Sequence, residues 1–256
     1  MMQPLSISIV AFHDYDDIKK AITSIVQYTS IPYEMYVFDN SVDDPQKEEF
    51  QSFLQVNHVH YVDNHENQGF GKGHNHALEY IDSKYHAIIN PDIVIQEDVF
   101  GPIFQYLDHH PEVGMVIPKI VDDTGHLQEA YRKEITVFDM FTRYFGRHIF
   151  KKRIQDHTLS YMDYSKPFQV PFAQGCFLVI RTNLFRKLHG FDDRFFMYME
   201  DADLSKRINQ VSKVMYFPDV EVIHHWQKGS HKNKRLFKIH VQSARKYFHK
   251  WGWKLW

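Results

Sequence analysis

Three carboxylates fall within four residues, at Glu200, Asp201 and Asp203, in the run Phe195-Phe196-Met197-Tyr198-Met199-Glu200-Asp201-Ala202-Asp203-Leu204. Clustered acids repel one another and apolar neighbours withhold water. Both effects raise a carboxyl pKa towards the range of a working general base. Helix capping is the competing explanation, because acids in a first turn favour the helix dipole. Asp203 and Arg207 are spaced i,i+4, which suits a structural ion pair. Asp201 is thus the chemical acid, Asp203 mainly structural, and Glu200 open between the two roles.

Asn90-Pro91-Asp92 closes a hydrophobic run and offers one carboxylate. Mg²⁺ and Mn²⁺ take carboxylate oxygen and commonly bridge protein to substrate phosphates, so Asp92 is the natural ligand for a divalent cation. Phe12-His13 and Asp39-Asn40-Ser41 stand at the ends of two other such runs. An acid there suits a ribose hydroxyl or a base edge, since a carboxylate accepts O–H and N–H bonds; an N-cap or an Asx turn would use Asp39 equally well.

Asn67-Gln68-Gly69-Phe70-Gly71-Lys72-Gly73-His74-Asn75 is a glycine-rich loop entering a helix, where backbone can approach a phosphate or ribose. It lacks the Gly-Lys-Ser/Thr ending of a P-loop, and it follows the third strand rather than the first, unlike a dinucleotide fingerprint. A plain tight turn accounts for it as well. His224-His225 closes a late strand; imidazole is a metal ligand and, when protonated, a phosphate partner. With 18 His in the chain, any one of them is more often an ordinary surface or core residue. Cys176 has no partner at motif spacing and reads as a small buried residue.

Positioning these groups falls to an alternation of strands and helices. Leu5–Phe12 reads as a buried strand, Ile18, Ala21, Ile22, Ile25 and Val26 recur at helical spacing, and Tyr33–Phe38 is a second strand. This is a βαβ unit, with parallel pairing and a right-handed crossover. Phe50, Phe53 and Leu54 suggest a helix, Val59–Val62 a strand, Ala77, Leu78 and Ile81 a helix, and Tyr85–Ile89 a strand. The first ~120 residues read as an open α/β sheet, whose ligands bind beyond the carboxyl ends of the strands. Residues 122–170 show no clear periodicity. A strand at Gly175–Ile180, a helix opening near Glu200 and two short strands around Met215 and Val222 follow. A final amphipathic helix carries Phe237, Val241, Ala244 and Phe248 on one face. The expected class is α/β, an open and mostly parallel sheet with a smaller second sheet and a C-terminal helix. Residues 1–256 form one domain with a nucleotide half (about 1–120), an acceptor half (about 121–230) and a basic-aromatic helix (about 231–256).

With 256 residues, 43% hydrophobic and 16% aromatic, the chain can fill one sizeable core but not two large ones. One cysteine excludes an intramolecular disulfide. No apolar run approaches the ~20 residues that cross a bilayer, and MMQPLSISIVAF lacks the basic start and cleavage site of a signal peptide, so a cytoplasmic protein is expected. A formal net charge of −2 argues against nucleic acid as a partner. Locally the balance shifts: from Val222 to Trp256 there is no acid, while nine Lys and Arg interleave with Trp226, Trp251, Trp253 and Trp256. Docking on an anionic membrane surface suits that pattern; so does a helix packed on the core with a solvated basic face.

Taken in order, FDNSVDD, NQGFGKGHNHAL, NPDI, QGCFLVIR, GFDDRFFMYMEDADLSKRI, VIHHWQKGSHK and ARKYFHKWGW resemble the inverting GT-A glycosyltransferases of glycosyltransferase family 2. Within that family they resemble the bacterial rhamnosyltransferase-like branch of O-antigen and capsule synthesis. The likeness runs from about Leu5 to Trp253, and only residues 122–165 match poorly. It implies a GT-A fold and an enzyme that moves rhamnose or another hexose from a pyrimidine donor, a dTDP- or UDP-sugar, onto a saccharide. Acceptors in this branch are commonly lipid-linked, which places the enzyme peripherally on the inner face of the membrane. Mn²⁺ or Mg²⁺ would hold the diphosphate.

The resemblance further implies that Asp39 reads the pyrimidine and that Asn67, Gly69 and Asn75 form the loop over nucleotide and sugar. Asp92 corresponds to the last acid of the family's Asp-x-Asp metal signature, with Asn90 standing where the first acid would be. Asp201 matches the general base, with Glu200 beside it, and His224 completes the metal and diphosphate site. Phe12, Asn40, Lys72 and Asn90 complete the nucleotide-contacting set. The rivals are a sugar-nucleotide-binding or scaffold protein without turnover, an oxidoreductase suggested only by the GFGKG loop, and nucleic-acid binding through the basic tail. Asp92 and Asp201 are both present, which favours turnover.

Overall fold

Leu5 to Ala11 are buried on both faces of a strand, which is why this segment reads as a continuous rather than an alternating apolar run. A computed structural model describes residues 3–145, 149–225 and 234–256. The order begins β1 (Gln3–Ala11), α1 (Tyr15–Tyr28), β2 (Tyr33–Asp39), α2 (Lys47–Val56) and β3 (His60–Asp63). Next comes α3 (Phe70–Asn75), which tightens into a 3₁₀ turn at His76–Glu79. Then follow β4 (Ser83–Ile89), β5 (Ile93–Ile95), α4 (Phe100–His109), β6 (Val113–Val121), β7 (Tyr131–Arg132), α5 (Val137–Phe145) and α6 (Lys151–His157). The remainder is β8 (Phe168–Gln169), β9 (Phe172–Ala173), β10 (Phe177–Arg181), α7 (Thr182–Lys187), α8 (Glu200–Asn209), β11 (Lys213–His224) and α9 (Lys234–Trp251).

The main sheet runs β3-β2-β1-β4-β10-β6-β11-β5, with β8 also on β11, and β7 pairs with β9 in a separate ribbon. Its first four strands are parallel, so β1, β2 and β4 all end on one edge. Beyond β4 the sheet is mixed: β6 and β11 again pair in parallel, and other neighbours are antiparallel. There β10 lies antiparallel between β4 and β6, and β5 and β8 run antiparallel to β11. A parallel neighbour needs a crossover, usually helical, and β10 arrives straight from β9 without one.

Three further expectations change. The two short strands around Met215 and Val222 are one 12-residue strand, β11, whose register slips between Phe217 and Glu221. A bulge there takes up Pro218 and Asp219, residues that read as a break in sequence. The helix expected around Ala77 opens earlier, at Phe70. The aperiodic stretch 122–170 contains α5 and α6.

One core fills both sides of the sheet. A second, formed by Ile135, Phe172, Phe195, Met199, Ala202, Ala244, Tyr247 and Phe248, ties α9 to the first turn of α8. Ala244 and Phe248 thus pack as expected, while Phe237 and Val241 stay 36% and 46% exposed. Among the described residues no helix is long and apolar enough to cross a membrane.

Candidate active site

An open cleft of about 340 Å³ lies over the ends of β1 and β4. Phe12, Asn40, Asn67, Gly69, Asn90, Asp92, Glu200, Asp201 and His224 all line it. Its first wall is a backbone structure. Asn40 Nδ2 donates to Gly69 O at 3.0 Å, and Asn67 Oδ1 accepts the Gly69 N–H at 3.0 Å. At Gly69 φ is +82°, and a Cβ would sit 1.8 Å from Phe196 O. Only glycine fits there. The N–H of Phe70 donates to that same Phe196 oxygen at 3.0 Å, so the glycine loop is fastened to the segment preceding Glu200.

At the far end, Asp92 and His224 meet. His224 Nε2 lies 3.3 Å from Asp92 Oδ1, a buried oxygen that accepts no hydrogen bond among the described residues. Gln128 grips the histidine twice. Its Nε2–H donates to His224 O at 2.7 Å, and its Oε1 lies 2.9 Å from His224 Nδ1. With the amide so oriented, Nδ1 carries the hydrogen and the Nε2 lone pair faces Asp92. An orphaned carboxylate oxygen beside an imidazole lone pair fits a divalent cation. No group of three or more His, Cys, Asp or Glu among the described residues could hold one, so diphosphate oxygens would have to complete the coordination. Asp14, unremarked in the sequence, also lines the cleft; burial pushes its carboxyl up to about 6, with the Asp92 charge adding to the rise.

The acids of α8 line the same cleft. Tyr198 and Met199 both have φ of +69°, a tight left-handed entry that brings Glu200 and Asp201 into the cleft. Burial raises both carboxyls. Glu200 goes well above the usual range, with Asp201 as a like-charged neighbour and with Oε2 hydrogen-bonded to nothing among the described residues. Asp201 is restrained by N–H bonds from Gly175 (3.1 Å) and Ala202 (2.8 Å) and by the nearby Arg132 guanidinium. The pair therefore splits, with Asp201 the more readily ionised. Asp203 is structural as expected, taking Arg207 at 2.7 Å and the Trp251 indole at 2.8 Å.

Three expected residues are elsewhere. Asp39 is fully buried beneath the cleft, its carboxylate accepting Tyr15 OH (2.7 Å), Tyr61 OH (2.8 Å) and the Ser41 N–H (2.8 Å). Those donors occupy the oxygens that a base edge would need. Lys72 is exposed, because α3 turns it away from the cleft. Asn75 clamps the loop after α7, bonding both the N–H and the carbonyl of Phe191 at 2.8 Å and Asp193 at 2.7 Å. Cys176 is buried, its thiol pushed up to about 12. In the basic-aromatic segment, Trp226, Lys228 and Lys232 lie outside the described residues. Lys250 pairs with Asp192 and Asp203, and Lys254 with Glu134, so this stretch braces the second wall.

Residues 6–189 match the family model described as Glycosyl transferase family 2. Over 251 residues the chain is 24% identical to Rhamnosyltransferase WbbL of Escherichia coli K12, covering 93% of this chain and 90% of that protein. It is 28% identical over 145 residues to N-acetylglucosaminyl-diphospho-decaprenol L-rhamnosyltransferase of Mycobacterium tuberculosis, covering 54% of this chain and 46% of that one. Among solved structures, GalNAc-T7 with UDP, GalNAc and Mn²⁺ superposes with a TM-score of 0.69 at 14% identity, over 98% of this chain and 50% of that chain. Mannosyltransferase PcManGT from Pyrobaculum calidifontis, in complex with GDP-Man and Mn²⁺, gives 0.67 at 16% identity, over 97% and 65%. The chain thus spans nearly all of the E. coli relative but about half of the mycobacterial relative and of GalNAc-T7. These structural neighbours carry the GT-A fold.

Proposed function

This chain belongs to glycosyltransferase family 2 and is a glycosyltransferase of GT-A fold, and from that premise we propose that it transfers rhamnose or another hexose, with inversion, from a pyrimidine nucleotide diphosphate donor to a lipid-linked saccharide in cell-surface polysaccharide synthesis. The observation that carries this reading is one cleft lined by Asp92, His224 and Asp201 together. Phe12, 48% exposed at the mouth, offers its ring to the base, since nucleobases stack on aromatic faces. Asn40 and Asn67 hold the glycine loop where it can meet ribose and sugar. Asp92 and His224 would hold Mn²⁺ or Mg²⁺, which when bound offsets charge developing on the leaving diphosphate. Asp201 accepts the proton of the acceptor hydroxyl as that oxygen attacks the anomeric carbon, and Glu200 stays protonated beside it.

The test is Asp201→Asn with a panel of dTDP- and UDP-sugars, measuring nucleotide diphosphate release and donor binding. Transfer should fall by about 10²–10⁴ with donor binding retained; more than a tenth of wild-type transfer would refute the assignment. A lipid-linked acceptor also calls for a membrane contact. Trp253, Leu255 and Trp256, 57%, 60% and 77% exposed, are apolar side chains available for it, with Trp256 4.6 Å from the Phe138 ring. Co-sedimentation with anionic but not neutral vesicles, weakened by Trp256→Ala, supports that contact; equal recovery in the supernatant with both removes it.

A further inference from the structure

Two consecutive bulky residues in the left-handed region are rare, and here they stand directly before the acids of α8. Tyr198 and Met199 both have φ of +69°, and Met199 is the N-cap of the helix that begins Glu200-Asp201. Backbone strain of this kind persists only where the surroundings leave the chain no alternative. Relaxing the turn would swing the first turn of α8 and carry both acids with it.

The restraint comes from α9. Its Ala244, Tyr247 and Phe248 pack with Phe195, Met199 and Ala202 in the second core, and the His240 ring lies 4.8 Å from that of Tyr198. Apolar packing is non-directional: it fixes how close two elements lie but not how a peptide group is turned. A hydrogen bond to the peptide does that. Ser243, 2% exposed on the same buried stripe, donates its hydroxyl to Met197 O at 2.8 Å. A helical serine ordinarily points to solvent or bonds back to its own helix, and a hydroxyl has one hydrogen to give. That hydrogen is directed across to the turn. The preceding carbonyl, Phe196 O, accepts the Phe70 N–H at 3.0 Å. Two successive peptides are thus held by different elements, the glycine loop and α9, and the left-handed pair follows at once. Nearby, Lys246 Nζ donates to Arg194 O at 2.6 Å.

We propose that Ser243 is a positioning residue for the reaction: its bond to Met197 O sets the left-handed turn that presents Asp201 to the acceptor hydroxyl. Ser243 does not line the cleft, whereas Met197 and Tyr198 do, so it acts through the turn. This rests on the assignment of Asp201 as the base and ties α9 to the chemistry.

The experiment is the pH dependence of kcat, with the donor KM, for Ser243→Ala in the full chain. Nucleotide diphosphate release is read with whichever dTDP- or UDP-sugar turns over fastest. Misplacing a reacting group should lower kcat about tenfold while the donor KM stays within about twofold. Burial is what raises the Asp201 carboxyl, so a loosened turn that admits water lowers it. The acid limb of kcat should therefore move to lower pH by about half a unit or more. Glu200, Arg132, Cys176 and Tyr247, the other groups in electrostatic contact with that carboxyl, are left in place. A merely destabilised fold would leave the limb where it is or, if acid-labile, move it to higher pH. A kcat within about twofold of wild type, or a fall with the limb unmoved or moved upward, overturns the proposal. Should Ser243→Ala not fold, Lys246→Met, an exposed change that removes the bond to Arg194 O, is read in its place by the same criteria. Transfer surviving in Asp201→Asn refutes the base. A wild-type profile for Ser243→Ala beside an inactive Asp201→Asn refutes only the positioning.

Discussion

The two walls of the cleft are built on different physical terms. The donor wall is backbone and neutral amide: Asn40, Asn67 and Gly69 sit at the ends of parallel strands and are pinned by short hydrogen bonds and one left-handed glycine. Beneath it, Ser6, Ser8, His74 and His86 form a buried network in which burial holds both imidazoles neutral, His86 down to about 3. The proposed acceptor wall is charge: Glu200 and Asp201, with the Arg132 guanidinium acting on Asp201, supported by a separate small core and by ion pairs to α9. A nucleotide diphosphate is common to many donors and can be met by fixed backbone. The acceptor is what distinguishes one transferase from another, and side chains are easier to vary than strand ends.

The sharpest way to break this contrast is at Gly69. Gly69→Ala forces a Cβ onto the Phe196 carbonyl, and a loss of about 2–4 kcal/mol in stability is expected, with donor binding falling by more than tenfold. Denaturant melts and donor titration check it; a variant that melts like wild type would show that the loop is not locked. Next, Gln128→Ala should weaken Mn²⁺ binding about 10–100-fold, read by electron paramagnetic resonance with nucleotide diphosphate present, because the His224 ring loses its orientation. Unchanged affinity would remove Gln128 from the site.

A smaller effect tests the electrostatics of the acceptor wall. Asp201 has a raised folded-state pKa and must be ionised to act as the proposed base, so transfer should fall as pH drops through that value. Arg132 lowers the Asp201 pKa, so Arg132→Gln should move the acid limb of the rate profile to higher pH; a limb that stays put contradicts the coupling. The smallest effect is at Lys72. As an exposed residue outside the cleft, Lys72→Ala should change donor KM by less than about twofold, within the range of ordinary surface substitutions, and a larger change would return it to the donor wall.

The donor wall was largely legible because strand periodicity marks where a strand ends, and Phe12, Asn40, Asn90 and Asp92 are all strand-end residues. Direction was harder. Nothing local tells that Tyr15 and Tyr61 converge on Asp39, or that one turn of α3 sends Lys72 to solvent and Asn75 to Phe191. The acceptor wall was legible only at Glu200 and Asp201, where three acids crowd one turn. Gln128 meets His224 across 96 residues and Arg132 meets Gln174 across 42, both from the stretch without periodicity. Contacts of that kind leave no mark in the spacing of residues.

The opening turn of α5 has a further meaning for how the chain is made. The N–H groups of Val137 and Phe138 donate to the carbonyls of Lys254 and Leu255, at 2.9 and 3.1 Å. During synthesis the parallel strands β1 to β4 can find one another while most of the chain is still to come. The first turn of α5 cannot be completed then, because it waits for residues that leave the ribosome more than a hundred positions later. Competence for the donor should thus come first on the nascent chain, and synthesis stalled near residue 250 should yield a chain that grips nucleotide before the opening turn of α5 is complete.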